Sequence, residues 1–232
     1  MQLPFFFEEN LPGTPDFDLG EDTSKHVSQV LRMEKGNELL ITDGKGKILT
    51  AEILLPHKKH TSVQIVKEEN FPAPPKKIAI AVSLIKNTSR FEWFVEKGTE
   101  IGITSIIPLL CKRTEKTHFR FARIKSIMVS AMLQSRQSWL PVLYEPQKFN
   151  DLINDEGYEQ RFIAHCVPER KEELKNVTTS NVSSKIILIG PEGDFTEDEI
   201  NAAMQKNYIP VSLGNTRLRT ETAAVAAAVW LQ

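Results

Sequence analysis

The chain has 232 residues, 41% of them hydrophobic, which is enough to bury a core in one large domain or two small ones. Its 29 lysines and arginines are balanced by 30 aspartates and glutamates, and the net charge of −1 excludes a protein that binds nucleic acid through a uniformly basic surface. Any RNA contact must therefore come from local clusters of basic side chains.

The sequence carries no signal for a membrane-spanning or a secreted protein. No apolar run reaches the roughly 18 residues of a membrane span, and the acidic start lacks the basic region of a signal peptide. Cys111 and Cys166 have no metal-ligand spacing and are too few for a disulfide framework. We therefore expect a soluble cytoplasmic protein without a metal, in which both cysteines are reduced thiols of the core.

Residues 1–70 predict a small β-rich module with one helix, which we expect at Thr23–Met33. The segments Glu38–Gly44 and Ile48–Leu55 alternate apolar and polar residues on either side of an Asp-Gly-Lys-Gly sequence, which is a hairpin signal. Thr61–Lys67 adds a further strand. The module is therefore predicted to be a compact sheet.

Residues 71–77 contain three prolines and predict an extended linker, because proline cannot join regular strand pairing. Residues 78–232 then alternate strands and helices, a pattern typical of a parallel α/β sheet. The predicted strands are Ile78–Ile85, Ser105–Leu110, Val142–Tyr144, Arg161–Val167, Ile186–Ile189 and Val211–Leu213. The predicted helices begin at Ser89, at Phe121 and at Thr196, and a last one covers Thr222–Gln232. Two S/T-x-x-E capping boxes, at Ser89 and Thr196, support two of these starts.

Two glycine-bearing loops near the end of the chain are the most informative feature. The first follows the apolar strand Lys185–Ile189 and reads Gly-Pro-Glu-Gly-Asp-Phe over residues 190–195. The second reads Leu-Gly-Asn-Thr-Arg-Leu-Arg-Thr-Glu-Thr-Ala over residues 213–223. Ligands of open α/β sheets bind at such strand ends. Neither loop has the G-x-G-x-x-G or G-K-[ST] pattern of a phosphate cradle, so a phosphate cradle is disfavoured.

These two loops, as GPEGxF followed by LGxxxLRTETA, resemble the 16S ribosomal RNA uridine-N3 methyltransferase family of the SPOUT class. The resemblance extends to His26–Arg32 with Gly36, to Lys97–Gly102, and in part to Gln134–Ser135 with Pro141, so it covers nearly the whole chain.

The chain departs from the family pattern at a few positions. Asp194 replaces the second glycine of the usual G-G-F, and Thr216-Arg217 stand where Arg-Ile is usual. Leu133 and Gln137 replace a usual glutamate and arginine, and Arg136 stands beside the latter. A shift of one position on a helix turns a side chain by about 100°, so Arg136 is not expected to substitute for its neighbour.

The resemblance implies a C-terminal parallel sheet with a trefoil knot, a preceding PUA-like β-barrel that binds RNA, and a homodimer. It implies that S-adenosyl-L-methionine lies in the cleft between the end of strand Arg161–Val167 and the two loops. The residues it places around this cofactor are His165, Ile189, Gly190, Glu192, Gly193, Leu213, Gly214, Leu218 and Thr220. Glycine at 190, 193 and 214 is expected to let the backbone approach the cofactor closely.

Methylation of uridine N3 builds negative charge on the uracil oxygens, which a guanidinium group stabilises. Arg219 is the candidate for this role. Glu221 is a candidate to orient Arg219 or to act as a base, and the alternative for Glu221 is a first-turn carboxylate stabilised by the helix dipole. We take both residues as catalytic candidates.

The expected RNA partner is 16S ribosomal RNA, free or in the small ribosomal subunit. The residues that we expect to contact it are Lys25, Arg32, Arg90, Arg113 and Arg136. Basic density over Lys112–Lys125, interleaved with Phe119 and Phe121, suits phosphate contact and base stacking. Two alternatives stay open: a non-catalytic RNA-binding or ribosome-assembly module, and a knotted methyltransferase that acts on another RNA position.

Overall fold

The computed structural model describes residues 2–168, 171–179 and 181–232, which divide into two compact units. The first unit comprises the chain up to Ala73 together with Met132–Leu140, and the second comprises Pro74–Ala131 and Pro141–Gln232. The first unit thus takes in a segment, 132–140, that is absent from the continuous range inferred from the sequence. The functional division into 1–70, 71–77 and 78–232 stays a prediction.

The first unit is built on a five-stranded sheet with the strand order β1-β3-β4-β5-β2. Its strands are β1 Phe5–Phe7, β2 Asp16–Asp18, β3 Glu38–Thr42, β4 Lys47–Leu55 and β5 Ser62–Asn70. The predicted hairpin is confirmed, since β3 and β4 pair antiparallel. Its turn is held by Asp43, whose Oδ1 accepts hydrogen bonds from the backbone N–H groups of Lys45 at 2.7 Å and Lys47 at 3.2 Å.

Two boundaries in this unit differ from the sequence prediction. The helix begins earlier, as α1 at Glu21–Lys25, and widens into a π-helical turn over His26–Val30, where the Leu31 N–H bonds to the His26 carbonyl at 2.9 Å. Strand β5 runs to Asn70 instead of ending at Lys67, because its last residues pair with the start of β4.

The turn between β3 and β4 makes Gly46 a sensitive position. Gly46 has φ = +96°, and an added Cβ would lie 2.6 Å from both the Phe71 carbonyl oxygen and the Trp139 ring. Gly36 has φ = +84° but open space around the added Cβ. We expect Gly36→Ala to cost roughly 1–2 kcal/mol of unfolding free energy through backbone strain alone. Gly46→Ala should cost about 1–3 kcal/mol more through the clash. Urea denaturation of both variants measures the difference, and equal losses would contradict the expectation.

The second unit is an eight-stranded sheet in which every recorded pairing is parallel. The order is β11-β13-β10-β12-β6-β7-β8, and β9 also pairs with β7. The strands are β6 Lys77–Ser83, β7 Ser105–Leu110, β8 Val142–Leu143, β9 Gln147–Lys148, β10 Gln160–Ala164, β11 Glu172–Glu173, β12 Ser184–Ile189 and β13 Ile209–Ser212. The helices are α2 Thr88–Ile101, α3 Phe121–Gln134, α4 Phe149–Leu152, α5 Leu174–Val177, α6 Glu197–Gln205 and α7 Thr220–Leu231. The predicted parallel α/β sheet is confirmed, whereas the trefoil knot and the closure of the N-terminal sheet into a barrel stay predictions.

Of the two predicted capping boxes, one is correct and one is wrong. Helix α6 follows the predicted capping box, in which the Thr196 side chain accepts from the Glu199 N–H and the Glu199 carboxylate accepts from the Thr196 N–H. The box predicted at Ser89 is wrong, because Asn87 caps α2 and its side chain accepts from the Ser89 N–H at 3.0 Å. Asparagine is among the preferred N-cap residues, and with Asn87 in that position Ser89 lies inside the first turn of α2.

Strands β6 and β12 are buried along most of their length, as expected for the centre of a parallel sheet. Lys185 in β12 is 2% exposed, and its ammonium donates to the Leu231 carbonyl at 3.0 Å and to the Thr178 hydroxyl at 2.9 Å. Burial lowers the pKa of Lys185. These bonds fix the end of α7 against the sheet. Among the described residues, no helix combines the length and the apolar character needed to cross a membrane.

Candidate functional site

A cavity of the second unit lies at the carboxyl ends of three adjacent parallel strands. Ala164 ends β10, Ile189 ends β12 and Ser212 ends β13, and all three line a cavity of about 660 Å³. The β12–α6 loop and the β13–α7 loop complete its walls. Small-molecule sites typically enclose about 300–1,000 Å³, so the cavity suits a ligand of cofactor size.

The cavity brings most of the predicted site residues together. Those that line it are Arg90, His165, Ile189, Gly190, Glu192, Leu213, Gly214, Leu218, Arg219, Thr220 and Glu221. The cavity lining within the described residues does not include Gly193, whose added Cβ would lie 3.4 Å from the Arg113 side chain. Their roles toward a cofactor or RNA stay predictions.

Gly190 and Gly214 occupy their positions for different physical reasons. An added Cβ at Gly190 would lie 3.2 Å from the ring and the backbone nitrogen of Phe195, so the packing of the protein itself requires glycine there. Gly214 has φ = +112°, and an added Cβ would meet no described protein atom within 4 Å. The space in front of Gly214 is therefore open to a ligand, whereas close packing inside the protein accounts for Gly190.

Side-chain hydrogen bonds of Thr220 and Asp194 hold the loops around the cavity. The buried Thr220 hydroxyl donates to the Gly190 carbonyl at 3.0 Å, which joins the start of α7 to the first loop. Asp194 adopts φ = +64°, and its Oδ2 accepts from the Cys166 N–H at 2.7 Å while its Oδ1 accepts from the Phe195 N–H at 2.8 Å. Aspartate is among the few residues other than glycine that tolerate this backbone conformation. Asp194 thus adopts a backbone conformation that glycine also allows, and its side chain ties the loop to the segment that follows β10.

The first loop is also held from outside the cavity by residues that the sequence did not connect to it. One Glu192 oxygen accepts from the Lys86 N–H at 3.0 Å. The Arg113 guanidinium donates to the Gly193 carbonyl at 2.7 Å and to the Phe195 carbonyl at 3.2 Å. Glu192 and Arg113 therefore have structural bonds in addition to the cofactor and RNA roles predicted for them.

The charged groups at the cavity differ from the expected pairing. Glu221 makes an ion pair with Arg90, with 3.6 Å between Oε1 and Nε, whereas the sequence suggested that Glu221 orients Arg219. Arg219 is exposed at the N-cap position of α7 and makes no side-chain cap bond. The cavity wall thus presents the guanidinium of Arg90, which is held by a carboxylate, and those of Arg217 and Arg219, which are exposed.

His165 is buried at the end of β10, and its Nδ1 lies 3.4 Å from the ammonium of Lys171. Lys171 also lines the cavity and was not among the predicted site residues. Among the described residues, no group of three or more His, Cys, Asp or Glu is arranged to hold a metal ion.

The remaining predicted RNA-binding residues lie in the first unit. Lys25 and Arg32 are exposed, and Arg32 has φ = +52°. Arg136 lies beyond the end of α3, so the helical-rotation argument made for it is wrong. Its guanidinium donates to the Leu3 carbonyl at 2.9 Å and lies 5.6 Å from the centre of the Phe5 ring.

The two cysteines occupy different environments. Cys111 is buried, and burial raises its pKa to about 12. Cys166 is exposed and lines the cavity, so the expectation of a core thiol is wrong for this residue. Desolvation, with a smaller effect of the Asp194 charge, raises the pKa of Cys166.

Cys166 therefore reports on the cavity. We expect maleimide to label native protein at Cys166, with Cys111 reacting only after denaturation, because the reagent cannot reach a buried thiol of high pKa. S-adenosyl-L-methionine should slow this labelling if it occupies the cavity. Mass spectrometry of tryptic peptides measures both rates. A labelling rate at Cys166 that saturating cofactor leaves unchanged would contradict the assignment.

An α/β unit with a cofactor-sized cavity at the carboxyl edge of a parallel sheet defines a ligand-binding protein of the open α/β class. Comparison with known proteins narrows this class. Residues 72–232 match the RNA methyltransferase domain, and residues 19–66 match the RNA methyltransferase PUA domain. The chain therefore belongs to the RNA methyltransferase family, and the resemblance seen in the sequence is confirmed, including the PUA-like N-terminal module.

Individual relatives cover most of the chain. A Synechocystis protein named ribosomal RNA small subunit methyltransferase E is 32% identical over 209 residues, which are 87% of this chain and 68% of that protein. An Aquifex aeolicus protein of the same name is 29% identical, with 90% of each chain covered. A Neisseria gonorrhoeae structure of that name, bound to S-adenosyl methionine, has 27% identity and a TM-score of 0.86, with 98% of this chain and 95% of that chain covered.

Proposed function

We propose that the protein transfers a methyl group from S-adenosyl-L-methionine to N3 of a specific uridine in 16S ribosomal RNA. Relatives over most of the chain carry the name ribosomal RNA small subunit methyltransferase E, and a structural neighbour of that name holds S-adenosyl methionine. The observation that carries the proposal is the cavity at the sheet edge, which places Arg90 and Arg219 around a space of cofactor size.

The residues of the cavity fit S-adenosyl-L-methionine. The open space in front of Gly214 leaves room for a ligand against the backbone, and Ile189, Leu213 and Leu218 line the same cavity. His165, Gly190, Glu192, Gly193 and Thr220 complete the proposed binding set. The cofactor, when bound, supplies an electrophilic methyl group on a sulfonium centre.

The charged side chains have distinct proposed roles. Arg219 stabilises the negative charge that develops on the uracil oxygens when N3 loses its proton. Glu221 holds Arg90 at the cavity through their ion pair, so that a second guanidinium lies beside the reacting base. Glu221 is also the candidate to accept the N3 proton, and positioning of all three groups supplies much of the rate.

The remaining proposals concern partners and location. The protein acts in the cytoplasm, without a metal, on 16S ribosomal RNA or the small ribosomal subunit, and works as a homodimer. Two large apolar side chains of the second unit support the dimer, since Trp93 on α2 is 43% exposed and Val229 on α7 is 52% exposed, and these helices pack together. Exposed apolar groups on adjacent helices are typical of an interface. Sedimentation of a single monomeric species at micromolar concentration would contradict the dimer.

Ribosomal RNA from a strain that lacks this gene tests the function in the cell. Nucleoside mass spectrometry should show the loss of one 3-methyluridine from 16S ribosomal RNA, restored by the intact gene. An unchanged modification profile would favour a non-catalytic RNA-binding or assembly module. Loss of a different modified nucleotide would favour a related methyltransferase with another target.

A further inference from the structure

A second, smaller cavity of the second unit lies beside the first turn of α2. Its volume is about 120 Å³. A closed cavity of roughly 150 Å³ holds one benzene molecule, so this smaller cavity has room for one edge of a planar ring. Helix α2 contributes Thr88, Phe91 and Glu92 to this cavity and Arg90 to the cofactor cavity. Residues three and four apart share a helix face, so α2 directs one face to each cavity.

Part of the lining of the small cavity consists of buried apolar side chains. Leu84, Ile85, Phe91 and Ile124 line it, and each is at most 5% exposed. The partly exposed Phe119 ring packs edge-on against Phe91, with 6.1 Å between the ring centres and an angle of 86°. Phe119 itself lines the cavity, and nucleobases stack on aromatic rings of this kind.

The rim carries charges that suit a polyanion. Lys116, His118 and Arg120 line the opening. Glu92 is the acidic group among the lining residues, and the Arg123 guanidinium holds both its oxygens, at 3.0 and 3.3 Å. Lysine and arginine at the rim match RNA phosphates, and a carboxylate accepts a hydrogen bond from a base amino group.

We propose that this cavity binds one unpaired pyrimidine base of the RNA substrate, stacked on Phe119, with cytosine as the best match because its amino group donates to Glu92. The inference rests on RNA being the substrate, as proposed above. Lys116 and Arg120 contact the phosphates on either side of this base. The cavity therefore selects the sequence around the target uridine, separately from the cofactor cavity.

The test uses fluorescence anisotropy with the full chain and an unmodified, labelled transcript of the 16S ribosomal RNA target region. Phe119→Leu should weaken RNA binding about fivefold or more, since stacking on one aromatic ring is lost. The matched control is Phe71→Leu, because Phe71 is 45% exposed and does not line the cavity among the described residues. This control should bind RNA as the wild type does. Calorimetry with S-adenosyl-L-methionine checks that both variants are folded.

An abasic scan locates the base. Removing single bases from the transcript should weaken wild-type binding at one pyrimidine, and Phe119→Leu should be insensitive at that position. Identical scan profiles for the wild type and Phe119→Leu would overturn the proposal while leaving the methyltransferase function intact. A Phe119-dependent base contact in a protein that transfers no methyl group would sustain the cavity proposal and overturn the proposed function.

Discussion

Arg219→Ala is expected to lower the rate of methyl transfer by about 10²-fold or more, in line with the loss of one transition-state donor. The affinity for S-adenosyl-L-methionine should change little, because the Arg219 side chain is exposed and makes no cap bond whose loss would disturb α7. Single-turnover kinetics at saturating cofactor and RNA measure this effect.

Arg217→Ala is the matched control, since Arg217 is also exposed, belongs to the same loop and lines the same cavity. It removes the same charge without removing the proposed donor, so turnover at saturating RNA should be nearly normal. A phosphate contact by Arg219 would give a different result. RNA binding would then weaken, the salt slope would fall by roughly 0.7–0.9, and turnover at saturating RNA would be normal. That outcome would contradict the catalytic role of Arg219.

Ala164→Phe is expected to abolish binding of S-adenosyl-L-methionine. Ala164 ends β10 between its register partners Ile189 and Val211, all three of which line the cavity. A phenyl ring there would occupy space that the ligand needs. Isothermal titration calorimetry measures the loss, and circular dichroism checks the fold.

Ala122→Phe serves as the control, because Ala122 is exposed on α3 and does not line the cavity among the described residues. Its cofactor binding should equal that of the wild type. Full-strength binding by folded Ala164→Phe would place the cofactor elsewhere and would contradict the assignment of the cavity.

Local signals in the sequence were sufficient where neighbouring residues decide the structure. The capping box at Thr196 and Glu199 and the Asp-Gly-Lys-Gly turn each involve groups within a few residues, and both predictions are confirmed. The capping box predicted at Ser89 does not form, because Asn87, two residues earlier, is the N-cap of α2. The Asn87 side chain accepts a hydrogen bond from the Ser89 N–H.

Pairings between distant segments could not be read from local patterns. Strand β5 was predicted to end at Lys67, yet its charged end up to Asn70 also pairs with β4, and Lys47 forms an ion pair with Glu68 at 3.0 Å. Arg90 and Glu221 come from opposite ends of the α/β unit, so only the folded sheet reveals their ion pair. The same reason explains why Arg113 was predicted as an RNA ligand without its bonds to the first loop.

The position of a residue also depends on where an element stops. The strand predicted to run through Val167 ends at Ala164, which leaves Cys166 in an exposed loop at the cavity and not in the core. The family pattern nevertheless pointed to the loops that line the cavity, because these two loops leave parallel strands at the same edge of the sheet. Asp194, which departs from that pattern, adopts a positive φ that glycine also allows.

Methyl transfer by the purified protein tests the central claim most directly. The substrate is 16S ribosomal RNA from a strain that lacks this gene, incubated with isotopically labelled S-adenosyl-L-methionine and digested to nucleosides for mass spectrometry. We predict that the label appears in 3-methyluridine at a single position with the wild type and is nearly absent with Arg219→Ala. Label on another base or ring atom, or no transfer by protein that binds both cofactor and RNA, would contradict the account.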